Sequence, residues 1–100
     1  MYAVVRILSG AGAKEFFDLL EKRKPEVESA MRSVPGLESY TLVRSVDGGF
    51  SVTVCEDKAG AEESMRIAGE WVQRNASGLG WPPAIEEGSV VLQIRKREWD

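Results

Sequence analysis

The first strand-like segment of the sequence, from Tyr2 to Leu8, carries apolar side chains on both of its faces. Side chains alternate between the two faces of a strand. One face holds Tyr2, Val4 and Leu8, and the other holds Ala3, Val5 and Ile7. A strand that is apolar on both faces is typical of the centre of a sheet that is covered on both sides. The segment therefore predicts a sheet whose two faces are both buried.

Two segments of the sequence have apolar residues at the spacing that predicts a helix. The first begins after residues 9–12 and is interrupted by Pro25, which removes a hydrogen bond in a helix interior but is tolerated in a first turn. We therefore expect this helix to kink or restart near Lys24 and to end at Pro35-Gly36. The second helix is expected to begin after Asp57, whose carboxylate can cap it. Its inward face is expected to hold Ala61, Met65, Ala68 and Val72, with Trp71 beside them.

Residues 37–56 predict a β-hairpin, and Ser89 to Arg95 predict the last strand. In the hairpin, a three-residue turn from Asp47 to Gly49 separates apolar residues from hydroxyls better than a two-residue turn does. One face then carries Tyr40, Leu42, Arg44, Val46, Phe50, Val52 and Val54. The other face carries Ser39, Thr41, Val43, Ser45, Ser51, Thr53 and Cys55. Which of these faces the helices cover, and which lines a pocket, is left open.

The order of elements is strand, helix, strand, strand, helix, strand, which is the βαββαβ arrangement of a ferredoxin-like α+β fold. Right-handed crossovers in that topology place both helices on one face of a four-stranded antiparallel sheet. A second copy of the chain is the simplest cover for the other face, because large exposed apolar patches are rare on soluble monomers. We expect residues 1–100 to form a single domain that assembles as a homodimer through its sheet.

The amino-acid composition argues against several classes of function. The chain of 100 residues has one cysteine, no histidine and a net charge of -3. It therefore offers no internal disulfide, no histidine-cysteine metal cluster and no concentrated basic surface for nucleic acid. No stretch approaches the roughly 20 apolar residues of a membrane span, and no signal peptide is recognisable. We expect a cytoplasmic protein with no bound metal or cofactor and with no nucleic-acid or membrane partner.

Four parts of the sequence point to a known group of proteins: the opening strand YAVVRI, the segment MRSVPGLESYTLVRS, the segment GGFSVTVCED, and Trp71 on the second helix. They resemble the dimeric α/β barrel superfamily and, within it, the antibiotic-biosynthesis-monooxygenase-like domains. The resemblance covers nearly the whole chain and implies a homodimer of facing sheets with a pocket in each subunit. For some members it implies cofactor-free oxygenation of an electron-rich aromatic or quinol substrate, and for others degradation of heme.

The heme-degrading pattern is matched only in part. The resemblance there involves an Asn on the first strand, with a Trp and a heme-ligating His on the second helix. This chain has Arg6 on the first strand and Trp71 on the helix, and it has no histidine. In the quinol-forming branch an Asn one turn before the Trp helps to position the substrate, and Ile67 occupies that position here. Trp71 is therefore the residue of this chain that matches the family's pattern. The resemblance favours a quinol-type compound over heme as the substrate.

Three residues are candidates for lining a ligand pocket: Trp71, Tyr40 and Arg44. Trp71 can line a pocket or simply fill the core, as aromatic side chains commonly do. Tyr40 and Arg44 share one face of the second strand, where a phenol and a guanidinium can orient and stabilise a phenolate or carboxylate. The alternative is a tyrosine at the rim and an arginine paired with a surface glutamate. Cys55 lacks an activating base, so we interpret it as a structural thiol.

Two functions remain open at this point. The first is a cofactor-independent monooxygenase-like enzyme acting on a small aromatic or quinol-type compound, with Trp71, Tyr40 and Arg44 shaping its pocket. The second is a non-catalytic module of the same fold that binds a small ligand or only assembles. The sequence identifies no catalytic residue for either function.

Overall fold

The computed structural model describes residues 1–79 and 83–96. Its elements, in chain order, are β1 (Tyr2–Ser9), α1 (Ala13–Lys22), α2 (Lys24–Arg32), β2 (Leu37–Ser45), β3 (Gly48–Cys55), α3 (Lys58–Asn75) and β4 (Ala84–Ser89). Within these residues the strands form one antiparallel sheet in the order β2-β3-β1-β4. This is the predicted ferredoxin-like α+β arrangement, and β1 lies in the interior of the sheet, as its two apolar faces require.

The predicted restart near Lys24 is confirmed as a break between α1 and α2. Pro25 lies in the first turn of α2, where its missing N–H needs no partner. Arg23, with φ -113° and ψ 32°, leaves the helical conformation, although its N–H still bonds to the Leu19 carbonyl at 3.0 Å. A continuous helix would press the ring of Pro25 against the carbonyl of Glu21, so the chain forms two shorter helices instead.

The helices α1 and α3 pack on the same face of the sheet and bury the larger part of the core. The start of α3 is capped as predicted, because Oδ1 of Asp57 accepts the N–H of Gly60 at 2.9 Å. The main buried cluster consists of Leu8, Ala13, Phe16, Phe17, Leu20, Trp71 and Ala76. In the part of the chain that the structure describes, no helix combines the length and apolar character needed to cross a lipid bilayer.

The hairpin turn is shorter than predicted. Ser45 pairs with Gly48, and only Val46 and Asp47 lie between them. The predicted three-residue turn from Asp47 to Gly49 is therefore wrong, since both glycines belong to β3.

The packing of α1 on the sheet explains why glycines stand at the start of β3. A Cβ at Gly49 would collide with the carbonyl oxygen of Val43 and with the ring of Phe17. At Gly48 a Cβ would collide with the carbonyl oxygen of Leu8. Glycine within a strand commonly marks such a close approach of neighbouring backbone. The Gly-Gly pair has the composition of a turn, but its role in the fold is to let helix and strands come together.

The shorter turn changes which hairpin residues share a face. Paired residues of antiparallel strands lie side by side on one face, and Leu42 pairs with Ser51 while Tyr40 pairs with Thr53. Ser51 and Thr53 are buried, so these pairs lie on the helix-covered face. The opposite face carries Thr41, Val43, Phe50 and Val52. The predicted separation into an apolar and a hydroxyl-rich face is wrong, because a one-residue change in the turn moves every side chain of β3 to the other side relative to β2.

The last strand lies earlier in the sequence than predicted. β4 spans Ala84–Ser89, and its ladder with β1 ends where Ser89 pairs with Tyr2. The predicted strand from Ser89 to Arg95 is wrong beyond its first residue, because residues 91–96 extend past the end of β1, the strand with which they would pair. Three apolar side chains of this extension are exposed: Val91, Leu92 and Ile94.

The sheet face opposite the helices, called the open face below, is largely apolar in its central strands. In β1 and β3 it carries Ala3, Val5, Ile7, Phe50 and Val52. The pairs Val5 with Val52 and Ile7 with Phe50 lie directly across from each other. Ile7 is 42% exposed, so the face offers water-accessible apolar surface on the interior strand β1 itself.

Candidate functional site

A cavity of about 280 Å³, called the central cavity below, lies between the helices and the helix-covered face of the sheet. This volume is just below the roughly 300–1,000 Å³ typical of small-molecule sites. Most of its wall is apolar, and four of the lining residues are aromatic. The described lining residues are Arg6, Leu8, Phe16, Phe17, Leu20, Val27, Ala30, Met31, Tyr40, Leu42, Ser51, Met65, Ala68, Gly69, Trp71, Val72, Pro83 and Ile85.

Small residues on the helices help to keep this space open. Ala30 on α2, together with Ala68 and Gly69 on α3, contributes to the wall. Gly69 lies inside α3, where glycine costs about 1 kcal/mol relative to alanine. Among the described residues, none has a heavy atom within 4 Å of a Cβ placed at this position. Crowding therefore does not explain why a glycine occupies position 69. The effect of Gly69 is to leave one position of the cavity wall without a side chain.

Trp71 both fills the core and borders the central cavity. Its side chain is only 7% exposed and packs in the cluster that contains Phe16 and Leu20. The guanidinium of Arg23 lies 5.6 Å from the centre of the Trp71 ring, within range of a cation–π interaction. The two interpretations of Trp71 given from the sequence are thus compatible in this fold, and a role in ligand binding stays a prediction.

Tyr40 is half-buried and borders the same cavity from β2. Burial raises the pKa of its phenol above the ordinary value, while the nearby Arg6 guanidinium and Ser51 hydroxyl oppose the rise. The phenol is therefore protonated near neutral pH, and it offers the cavity an O–H that can donate a hydrogen bond.

Arg6 is the only one of the described lining residues that is charged near neutral pH. Its Nη1 lies 3.4 Å from Thr53 Oγ1 and its Nη2 lies 3.5 Å from Ser64 Oγ. Both contacts are longer than the usual N–H···O range of roughly 2.7–3.2 Å. Burial lowers the pKa of Arg6, but a guanidinium remains protonated in proteins. The cavity therefore holds a positive charge with weak local partners.

Arg44 lies apart from the central cavity. Its guanidinium pairs with Asp18 at 2.8 Å and with Glu21 at 2.5 Å, and it borders a second groove beside α1 and α2. The structure thus brings Trp71 and Tyr40 to one cavity and places Arg44 in an ion-pair cluster with α1.

Sequence reasoning did not propose Arg6 as a pocket residue. The available signal was a charged residue inside an apolar strand, on the same face as Val4 and Leu8. Long basic side chains at such positions often carry their charge out to water along an apolar surface. The signal alone could not separate that arrangement from a guanidinium on a cavity wall.

Cys55 is fully buried and is not one of the described lining residues of the central cavity. Burial raises the pKa of its thiol, and the Asp57 carboxylate adds to the rise. The thiolate is therefore disfavoured, which agrees with the interpretation of Cys55 as a structural thiol.

The side-chain polar groups of the described lining residues are those of Arg6, Tyr40 and Ser51 and the indole N–H of Trp71, and none of these lining residues is an aspartate, glutamate or histidine. Such a wall can hold a flat apolar molecule, donate hydrogen bonds to it and stabilise negative charge on it. Within the described lining, no carboxylate or imidazole is present to take a proton from a ligand.

Comparisons with known proteins identify relatives by fold. Neither a protein-family description nor a curated protein matches the sequence. A protein of unknown function from Nitrosomonas europaea matches with a TM-score of 0.71 and 17% identity, over 96% of this chain and 93% of that chain. A monooxygenase of Streptomyces coelicolor, in complex with the ligand nanaomycin D, matches with a TM-score of 0.63 and 24% identity, over 96% of this chain and 91% of that chain.

A heme-degrading protein from Mycobacterium tuberculosis also matches, with a TM-score of 0.56 and 26% identity, over 95% of this chain and 100% of that chain. These matches confirm, at the level of the fold, the resemblance to antibiotic-biosynthesis-monooxygenase-like domains of the dimeric α/β barrel superfamily. A shared fold hosts many activities, so the fold alone does not assign an activity to this chain.

Proposed function

We propose that the protein is a cofactor-independent monooxygenase-like enzyme that holds a small aromatic, quinol-type compound in the central cavity. The observation that carries the proposal is the composition of the cavity wall. Aromatic rings, including that of Trp71, offer flat apolar surfaces to a planar ligand. The Tyr40 phenol and the Arg6 guanidinium add hydrogen-bond donors that can orient a ligand oxygen.

Two of the matched structures support an oxygenase of this kind. One is a monooxygenase in complex with nanaomycin D, and another is a heme-degrading protein. A histidine ligand for heme iron is not available, because the chain has no histidine. Binding a quinol-type compound, as distinct from oxidising it, requires only an apolar cavity with hydrogen-bond donors on its wall.

A second candidate function is a module that binds the same class of compound without turning it over. The observation that favours it is the missing proton acceptor: the described lining contains no carboxylate or imidazole. Removing a proton from a quinol or phenol normally needs a positioned base. If oxygenation requires such a base, the cavity binds its ligand and releases it unchanged.

Oxygen consumption separates the two candidates. Purified protein is incubated with a panel of anthrones, quinols and flavonoids, without added metal or flavin, and oxygen uptake and products are recorded. The enzyme proposal expects uptake above the rate without protein for at least one compound. Thermal stabilisation by a compound that is not oxidised supports the binding module, and neither turnover nor stabilisation across the panel contradicts both.

A matched pair of variants tests whether turnover or binding takes place in the central cavity. Gly69→Leu places a side chain at the open position of the cavity wall and is expected to abolish turnover or binding. Gln73→Leu introduces the same residue at an exposed position of α3 and is expected to change neither. Equal loss in both variants would show that the effect comes from α3 in general and would argue against the central cavity as the site.

We further propose that the protein forms a homodimer through the open face. The support is the apolar surface of Val5, Ile7, Phe50 and Val52 on the side of the sheet that the helices do not cover. Such surface associates to remove apolar area from water. Light scattering at micromolar concentration is expected to give the mass of two chains, and a monomeric mass at that concentration contradicts the proposal.

A further inference from the structure

Arg6 places a positive charge on the wall of an otherwise apolar cavity. Its only described hydrogen-bond contacts are the long ones to Thr53 and Ser64, at 3.4 Å and 3.5 Å. Charges withdrawn from water in proteins are normally paired with an opposite charge, because the protein interior solvates them poorly. The question is which group supplies the negative charge for Arg6.

Among the described residues, the groups that contact Arg6, pair with it across the sheet or act on its pKa are neutral near pH 7: Tyr40 on β2, Ser51, Thr53 and Cys55 on β3, Ser64 on α3 and Ile85 on β4. Glu87 on β4 lies on the same face as Arg6, but it pairs with Val4, and its carboxylate accepts a hydrogen bond from the Tyr2 hydroxyl. The Ser64 hydroxyl already donates to the Ala61 carbonyl at 2.6 Å. Within residues 1–79 and 83–96, the ion pairs of the structure involve other arginines, and none involves Arg6.

Arg44 provides a direct comparison within the same sheet. Both arginines project from strands on the helix-covered side, but Arg44 lies between two carboxylates of α1, Asp18 and Glu21. The guanidinium of Arg44 therefore has its counter-charge within the protein. Arg6 borders the cavity instead, so the space beside it is where a counter-charge can bind.

A guanidinium presents five N–H donors in a planar fork, and it binds a carboxylate through two of them at once. The long contacts to the two hydroxyls leave most of the Arg6 donors available to a molecule in the cavity. The protonated phenol of Tyr40 borders the same space and can donate to the same ligand oxygen.

We propose that Arg6 binds an oxyanion of the ligand, so that the central cavity selects aromatic acids or ionisable phenols and enols over neutral aromatic compounds. The inference rests on the proposed use of the cavity as a small-molecule site, but it does not depend on oxygenation. In an enzyme, the contact stabilises the ionised form of the quinol. In a binding module, the contact sets ligand specificity.

Pairs of ligands of similar shape, in which only one member can present an oxyanion, test the proposal. Isothermal titration calorimetry compares 2-naphthoate with 2-naphthamide, and 2-naphthol with 2-methoxynaphthalene, on the wild type and on Arg6→Met, Arg6→Gln and Arg6→Lys. The wild type is expected to bind 2-naphthoate about tenfold or more tightly than 2-naphthamide, since hydrogen bonds to charged groups are the stronger ones. Arg6→Met and Arg6→Gln are expected to lose this preference, and their affinity for 2-naphthamide is expected to change by no more than about threefold.

Two further measurements test the role of the planar guanidinium of Arg6 and the kind of oxyanion that it binds. Arg6→Lys keeps the charge but loses the planar fork, so it is expected to retain part of the preference for 2-naphthoate. If 2-naphthol binds as its anion, binding releases a proton, and the measured enthalpy then varies with the ionisation enthalpy of the buffer. Proton release with a preference over 2-methoxynaphthalene identifies phenols and enols as ligands, whereas a preference shown only by 2-naphthoate identifies carboxylates.

The failure of this inference and that of the proposed function can be told apart. Equal affinity of the wild type for 2-naphthoate and 2-naphthamide, or an unchanged preference in Arg6→Met and Arg6→Gln, overturns the role of Arg6 but leaves the cavity as a ligand site. If none of the probes binds the wild type, the small-molecule site is contradicted and the inference fails with it. Thermal unfolding of each variant separates loss of the ligand contact from loss of the fold.

Discussion

Two glycines of this fold are expected to respond in opposite ways to the same substitution by alanine. Gly69 lies in the interior of α3, and a Cβ there would meet no heavy atom of the described residues within 4 Å. Gly49 lies in β3, and a Cβ there would collide with the carbonyl oxygen of Val43 and with the ring of Phe17. The pair tests both the close packing of α1 on the sheet and the open position on the wall of the cavity.

The expected changes in the free energy of unfolding follow from the surroundings of the two glycines. Gly69→Ala gains the helix propensity of alanine without a collision, so the free energy of unfolding is expected to rise by about 1 kcal/mol. For a domain of this size such a gain raises the melting temperature by roughly 4–8 °C. Gly49→Ala forces backbone or the Phe17 ring to move, and overpacking of this kind costs about 1–3 kcal/mol. The two variants should therefore differ by about 2–4 kcal/mol.

Urea unfolding followed by circular dichroism measures both variants on the same scale, and an unchanged dependence on urea concentration confirms that the same structure unfolds. A loss of stability in Gly69→Ala would refute the open position on α3, because the added methyl group would then have met a neighbour. Equal stability of Gly49→Ala and the wild type would refute the close contact between α1 and β3.

The remaining predictions concern charge, pH and assembly. Arg6→Met is expected to raise the free energy of unfolding by about 1 kcal/mol in the absence of ligand, because an apolar chain replaces a cation that has no carboxylate partner among the described residues. Destabilisation in urea would contradict this. Burial raises the pKa of Tyr40 above its ordinary value of 10.0. The stability that the neutral phenol contributes is therefore complete below pH 10.0 and is lost as the pH rises through the raised pKa, so Tyr40→Phe is expected to lessen the alkaline loss seen in unfolding curves. Val52→Glu places a charge on the open face and is expected to halve the mass measured by light scattering, whereas an unchanged dimer would place the interface elsewhere.

The features that were predicted correctly from the sequence have causes within a few residues. Asp57 caps α3 by accepting the N–H of Gly60, only three residues further on. Pro25 ends one helix and opens the next through the geometry of its own ring. The order of strands and helices then leaves few topologies, which is why the fold class was predicted correctly as well.

The features that were missed depend on residues far apart in the chain. Gly49 has the composition of a turn, and only the position of Phe17 makes it a packing residue. The alternating apolar residues after Ser89 have the pattern of a strand, but β1 ends before they can pair with it. Arg6 and Arg44 have the same chemistry and similar settings in the sequence, and only the carboxylates on α1 distinguish them.

The interior strand β1 faces the central cavity on one side and the open face on the other. Arg6 borders the cavity, and its neighbours Val5 and Ile7 lie on the surface proposed for self-association. The two proposed equilibria, ligand binding and dimerisation, would therefore use opposite sides of a single strand. If one of them alters the affinity of the other, the effect is reciprocal and equal in size. Ligand affinity is then a function of protein concentration, and titrations of dilute and concentrated protein measure the coupling directly.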